Sequence, residues 1–174
     1  MMPDLWVFGY GSLMWRPGFD FEACVPARLY GFHRSFCVYS HVHRGTPEKP
    51  GLVFGLDAGG SCRGLAFRVG ADKAEATRAY LQEREQVTSV YLDHMRRVHL
   101  LEGDKGPVEA LVFVVDRAHR QYAGKLDFDT QKALVATAKG RSGHNRDYLE
   151  QTVRHLEEIG VHDAGLARLW QALA

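Results

Sequence analysis

The stretch Leu5-Trp6-Val7-Phe8-Gly9-Tyr10-Gly11-Ser12-Leu13 sets the frame for reading the rest of the chain. Leu5 to Phe8 are apolar and include β-branched and aromatic side chains, so residues 5–9 are predicted to form a strand. Gly9-Tyr10-Gly11-Ser12 interrupts it at once. Two glycines around one aromatic let the backbone turn sharply and let another group approach it closely. Successive N–H groups in such a turn form a concavity suited to a carboxylate, a phosphate or an oxyanion.

Further strand signals follow at 28–39, 51–57, 62–69, about 90–102 and 108–115. Gly59-Gly60 reads as a hairpin turn between two of them. Gly103-Asp104-Lys105-Gly106-Pro107 reads as another, with its proline ahead of the strand. The first helix is predicted after Asp72, with Asp72 and Glu75 as a capping box, and should run to about Gln86. Helical patterns return at 129–139, capped by Asp129, then at 144–159 and 162–173 with Gly160 between them. His119 to Asp127 is left as a connecting loop. Strands fill the first two thirds and helices the last, so the fold class is α+β. The sheet should be mainly antiparallel and able to curl into a barrel, within one domain spanning 1–174.

Composition narrows the function classes. The chain has 174 residues, 45% hydrophobic and 25% charged, with a net charge of 22 − 21 = +1. That is ordinary for a globular protein, and Arg96-Arg97 is a pair, not a basic patch, so no nucleic-acid partner is expected. Cys24, Cys37 and Cys62 are odd in number and lack C-x-x-C spacing, which disfavours a disulfide framework and suits a reducing compartment. Met1-Met2-Pro3-Asp4 does not resemble a signal peptide, and no apolar run approaches the ~18 residues that span a bilayer. A cytoplasmic protein without membrane insertion is expected.

The glycine turn matches none of the common nucleotide motifs. Gly11 is followed by Ser-Leu-Met and then Trp15-Arg16-Pro17, with no third glycine in register and no Gly-Lys-Ser/Thr ending. A small ligand bearing a carboxylate stays open. Glu85 is the second candidate. At ~100° per residue it shares an arc of its helix with Ala74 and Leu81, whereas Glu83 lies beside Ala76 and Ala79. With Leu81 and Tyr80 marking the buried side, Glu85 would point coreward from the last turn, where desolvation raises a carboxyl pKa. The competing reading is a surface Glu paired with Arg78 or a neighbouring arginine.

Other chemistry is poorly supported. His41 and His43 share a strand face but have no third ligand near them, so no metal site is expected. Ser12 is no nucleophile elbow, because Met14 stands where a glycine is needed. Cys37 and Cys62 lie in apolar, strand-like settings that suit core packing. In Ser142-Gly143-His144-Asn145-Arg146-Asp147-Tyr148-Leu149, Gly143 and Asn145 read as helix-capping chemistry, and Tyr148 as a core aromatic.

Taken in order, these segments resemble the ChaC-like γ-glutamylcyclotransferases. The matching pieces are Val7-Phe8-Gly9-Tyr10-Gly11-Ser12-Leu13-Met14-Trp15, Arg34-Ser35-Phe36, His43-Arg44-Gly45-Thr46-Pro47 with Pro50-Gly51, Tyr80-Leu81 with Arg84-Glu85, and Gly143-His144-Asn145 with Tyr148-Leu149. They recur in the family's order over nearly the whole chain. The chain departs from the family at Thr88-Ser89-Val90-Tyr91, where members often have glycine, and at Gly140-Arg141, where Gly-Pro is common.

The resemblance implies a small, mixed, mainly antiparallel β-barrel with surrounding helices and no metal or organic cofactor. It implies cleavage of glutathione to 5-oxoproline and Cys-Gly, with the substrate's own α-amine attacking its γ-carbonyl. Glu85 would be the general base. Val7, Phe8, Gly9, Tyr10, Gly11, Ser12 and Leu13 would form the substrate cradle, its N–H groups holding the α-carboxylate or the γ-oxyanion. Tyr148 would hydrogen-bond the glutamyl head or assist proton movement, and Arg34 and Arg44 would serve either the glycyl carboxylate or structural ion pairs. Two alternatives are a cyclotransferase for other γ-glutamyl amino acids or amines, and a non-catalytic regulatory module linked to cation transport.

Overall fold

The structure, a computed structural model, describes residues 3–85 and 90–173. The chain divides into two compact units. The first comprises Met1–Arg34 and Leu56–Asp116, and the second comprises Ser35–Gly55 and Arg117–Ala174. Two long strands, β2 (Ala23–Ser40) and β3 (Gly51–Val69), supply residues to both.

The first unit is built on β1 (Leu5–Gly9), the adjoining parts of β2 and β3, β4 (Tyr91–Leu100) and β5 (Gly106–Val115). The sheet closes into a barrel in the order β1-β3-β2-β4-β5. β1 runs antiparallel to β3, from Leu5 opposite Val69 to Gly9 opposite Leu65, and parallel to β5 at Trp6–Ala110 and Val7–Leu111. β4 is antiparallel to β2 and β5. The barrel is therefore mixed and mainly antiparallel. Val7, Phe8, Leu29, Leu56, Phe67 and Phe113 fill its core. Each such side chain, fully removed from water, contributes about 1.5–3 kcal/mol. Gly64 allows a close approach: a Cβ there would overlap the carbonyl oxygen of Gly9 at the end of β1.

Two strand predictions need correction. Residues 51–57 and 62–69 are one strand, not two, because Gly59 (φ +104) and Gly60 (φ +68) take up a local distortion without reversing the chain. His33 Nδ1 lies 2.9 Å from the Gly59 carbonyl oxygen, fixing that distortion against β2. Pro107 lies inside β5, opposite His99, and not ahead of it; at the second residue its missing N–H is tolerated.

Helix α1 (Ala74–Glu85) also starts differently from the reading. A 3₁₀ turn, Ala71–Lys73, precedes it and takes in Asp72, which leaves Asp72 no capping role there; Asp4 instead accepts from the Ala71 N–H at 3.0 Å. The predicted end at Gln86, like Thr88 and Ser89, lies outside the described residues.

The second unit holds α2 (Phe128–Thr137), a two-strand ribbon of β6 (Lys139–Gly140) and β7 (Gly143–His144), α3 (Asn145–Glu158) and α4 (Ala164–Leu173). The cap of α2 is Asp127, not Asp129: its carboxylate accepts from Thr130 N–H at 2.7 Å, which holds that carboxyl below the usual range. Gly160 (φ +77) ends α3 as predicted, with its N–H bonded to the Glu157 carbonyl. Among the described residues no helix is long and apolar enough to cross a membrane.

Candidate active site

Where β1 ends, the Gly9–Ser12 segment separates residues that serve the core from residues that face outward. Val7, Phe8, Tyr10 and Leu13 are buried, so their side chains belong to the packing. Gly11 and Ser12 are the open part: a Cβ at Gly11 would meet nothing within 4 Å. The Gly11 and Ser12 carbonyls accept from Met14 and from Trp15 and Arg16, forming the 3₁₀ turn Ser12–Met14. The N–H groups of Gly11, Ser12 and Leu13 find no acceptor among the described residues. Consecutive unpaired donors beside open space make a cradle for a negatively charged oxygen.

Arg34 sets the orientation of this turn. Its Nε donates to the Tyr10 carbonyl at 2.7 Å and its Nη2 to the Arg63 carbonyl at 2.7 Å. The peptide joining Tyr10 to Gly11 is planar and trans, so drawing its C=O toward Arg34 points the Gly11 N–H the opposite way. A guanidinium donor also polarises that peptide more than a neutral one would.

Glu85 ends α1 in the row Thr77, Leu81, Glu85, each four residues from the last; Thr77 and Leu81 are buried. Tyr80, expected on the buried side, is 38% exposed, because the face packed inward runs through Thr77 and not through position 80. Only 17% of the Glu85 side chain is exposed, whereas Glu83 faces solvent. Burial pushes the Glu85 carboxyl above the usual carboxylate range, and the nearby Arg84 guanidinium partly opposes that rise.

The charged neighbour is Arg84, with Nε 3.9 Å from Glu85 Oε1. Arg78 instead reaches the Met95 sulfur at 3.8 Å. Arg84 also donates to Ser12 Oγ at 3.2 Å, so one guanidinium touches both the carboxylate and the open turn. The neighbouring arginine anticipated as a partner of Glu85 is thus Arg84, but the carboxylate it meets is mostly buried and not at the surface.

The second unit carries the other candidates. Tyr148, in α3, accepts from the Phe54 N–H at 3.1 Å and stacks on the Phe54 ring, which stacks in turn on Phe36 at 4.0 Å. Arg44 lies over the Tyr148 ring, 5.5 Å from its centroid, and donates to the His144 carbonyl at 3.2 Å. The capping reading of Asn145 fails. His144 is the cap residue, while the fully buried Asn145 amide bonds both the N–H and the C=O of Leu52, each at 2.8 Å. Nothing local in the sequence could reveal a partner 93 residues away. His43 Nδ1 lies 2.9 Å from Ser142 Oγ. Among the described residues no group of three or more His, Cys, Asp or Glu is placed to hold a metal.

Relatives of known kind agree in extent and in fold. A family model described as "ChaC-like protein" matches residues 5–174. The glutathione-specific γ-glutamylcyclotransferase of Escherichia coli (strain K12) is 35% identical over 162 residues, covering 93% of this chain and 69% of that protein. The protein of the same name from Schizosaccharomyces pombe is 34% identical over 175 residues, covering 90% and 84%. A crystal structure of a γ-glutamyl cyclotransferase specific to glutathione from yeast aligns with a TM-score of 0.88 at 24% identity, covering 98% of this chain and 95% of that one. At that identity the last likeness speaks for the fold, and it is the fold found here. Since the family match runs over nearly the whole chain, the chain belongs to the ChaC-like protein family.

Proposed function

We infer that this protein is a γ-glutamylcyclotransferase that cleaves glutathione, releasing 5-oxoproline and Cys-Gly. Relatives that bear this name over most of their length support the activity and the substrate. The observation that carries the site is Glu85: mostly buried, raised in pKa, and joined through Arg84 to the open turn.

The reaction is internal to the substrate. The α-amine nitrogen forms a bond to the γ-carbonyl carbon, and the bond from that carbon to the cysteinyl nitrogen breaks. The amine is largely protonated near neutral pH, so a proton must leave before attack, and the departing Cys-Gly amine needs one. Glu85 accepts that proton and returns it to the departing nitrogen. The second proton, which the attacking nitrogen sheds as it becomes the lactam N–H, ends on the released Cys-Gly amine as its ammonium, so no proton is gained or lost overall. A carboxyl held above its usual range is better matched to both transfers. The N–H groups of Gly11, Ser12 and Leu13 hold the substrate's α-carboxylate or the developing γ-oxyanion. Folding the chain into a near-attack shape supplies several kcal/mol, up to ~10.

Arg34 acts through the turn that it orients. The reaction is assigned to the cytoplasm, in keeping with cysteines that form no disulfide among the described residues. The test is incubation of the purified protein with glutathione and, side by side, with a panel of γ-glutamyl amino acids. Release of 5-oxoproline and Cys-Gly in equal amounts, fastest from glutathione, is expected. Absence of 5-oxoproline from every substrate would refute the reading.

A further inference from the structure

Arg84 makes more contacts than its position on the helix calls for. A cation near a helix C-terminus is favourable and usually extends into water. This one folds back, with only 21% of its side chain exposed. Nη1 donates to the carbonyls of Arg16 at 2.7 Å and Pro17 at 2.9 Å and to the Tyr80 hydroxyl at 3.1 Å. Nη2 donates to Ser12 Oγ, and Nε faces Glu85. Residues 16–18 belong to no strand or helix, so side-chain contacts decide where they run. The loop is shaped around this arginine: Gly18 (φ +76) passes so close that a Cβ would overlap the Tyr80 phenol and come within 3.4 Å of Arg84 Nη1.

We propose that Arg84 is a positioning residue for the cyclisation: by gripping Ser12, Arg16 and Pro17 from the helix that carries Glu85, it fixes the open turn and the base relative to each other. This rests on the reading of Glu85 as base and of the turn as cradle. The substrate is both nucleophile and electrophile, so the rate depends on how well its carboxylate, amine and carbonyl are held against these two protein groups. A misplacement of about 1 Å costs on the order of 10²-fold in such reactions. The guanidinium suits the task because its five N–H donors form a rigid fork, whereas an ammonium is a compact point charge.

Arg84 has a second, separable effect through its charge. Of the other charged groups on and around α1, Arg78 reaches Met95, Asp93 of β4 accepts from Gln82 at 3.1 Å, and Lys73 pairs with Asp20 at 2.9 Å. Arg84 is the charge that bears on Glu85 among the described residues.

The two effects part company in Arg84→Lys and Arg84→Met, measured as kcat and KM for 5-oxoproline release across pH. Arg84→Met should lower kcat on the order of 10²-fold and move the acid limb to higher pH, because the cation favouring ionised Glu85 is gone. Arg84→Lys keeps the charge, so its limb should stay near that of the wild type while kcat still falls by about tenfold or more. Loss of folded protein alone would lower the rate without moving the limb in Arg84→Met, and that result overturns the proposal. A kcat within about twofold of wild type in either variant overturns it too. If Arg84→Met does not fold, Arg84→Lys decides alone by the same criterion. The underlying reading fails separately, through a Glu85→Gln variant that retains activity.

Discussion

Replacing Glu85 by glutamine keeps the shape of the side chain and removes its charge and proton chemistry, so catalysis and stability should move in opposite directions. Burial makes the folded protein bind the Glu85 proton more tightly than the unfolded chain does. The stabilising contribution of that proton is complete below the ordinary unfolded value and is lost as pH rises through the folded one. Near neutral pH the ionised carboxylate therefore weakens the fold, by about 1.4 kcal/mol for each tenfold difference in proton affinity. Glutamine escapes that loss. It forfeits the contact with Arg84, but that attraction is already contained in the net effect, in which burial outweighs it. In a chain of this length ~1 kcal/mol moves Tm by about 2–4 °C. Glu85→Gln should therefore melt a few degrees above wild type near neutral pH, with the gap closing at mildly acidic pH. Its kcat should fall roughly 10²- to 10⁴-fold, the usual worth of a general base. Calorimetry at two pH values and chromatographic detection of 5-oxoproline read both effects. Glu83→Gln, at a solvent-facing position, should alter neither. A Glu85→Gln enzyme above about a tenth of wild-type rate would refute the assignment of the base. One that melts lower than wild type near neutral pH would refute the electrostatic argument.

Three further outcomes are expected. The wild-type kcat/KM should fall toward acid as Glu85 takes up its proton, with a midpoint above the ordinary glutamate range; a midpoint within that range would contradict the effect of burial. Arg34→Lys should slow glutathione and γ-glutamylcysteine to the same extent, because Arg34 grips the Tyr10 and Arg63 carbonyls; a loss confined to glutathione would make it a receptor for the glycyl carboxylate. Asn145→Ala strands the Leu52 N–H and C=O, at about 1–3 kcal/mol each, so chemical denaturation should show a loss of about 2–6 kcal/mol; a loss below ~1 kcal/mol would mean that water replaces the amide.

Much of the fold is legible along the chain because its signals are local. The alternation and β-branched content of β4 and β5, the glycine break after β1 and the Gly160 stop all act over a few residues, and each appears where expected. The misreadings have a common cause. Gly59-Gly60 resembles a hairpin turn by composition, but the same positive φ angles also serve a distortion within one strand, and pairing with β2 decides between them. Asp72 and Asp129 are capping residues by type, yet the distant Asp4 met Ala71 ahead of α1, and α2 was capped by Asp127, a neighbour of the same type bonded locally to Thr130.

For the site the division is similar. The sequence by itself determined the open glycine turn, the choice of Glu85 over Glu83 from helical phase, and the family. The first two follow from residue type and from a spacing of 3.6 per turn, and the family from the ordered likeness of motifs along the chain. Only the tertiary structure decided what surrounds them. Arg34 is bonded to the Tyr10 carbonyl, Arg84 reaches back to Ser12, and Asn145 is buried against Leu52. Those partners lie 24, 72 and 93 positions apart in the chain. Side-chain chemistry says what each residue can bind, but which partner comes within 3 Å or so is set by how the barrel closes and how the helices pack.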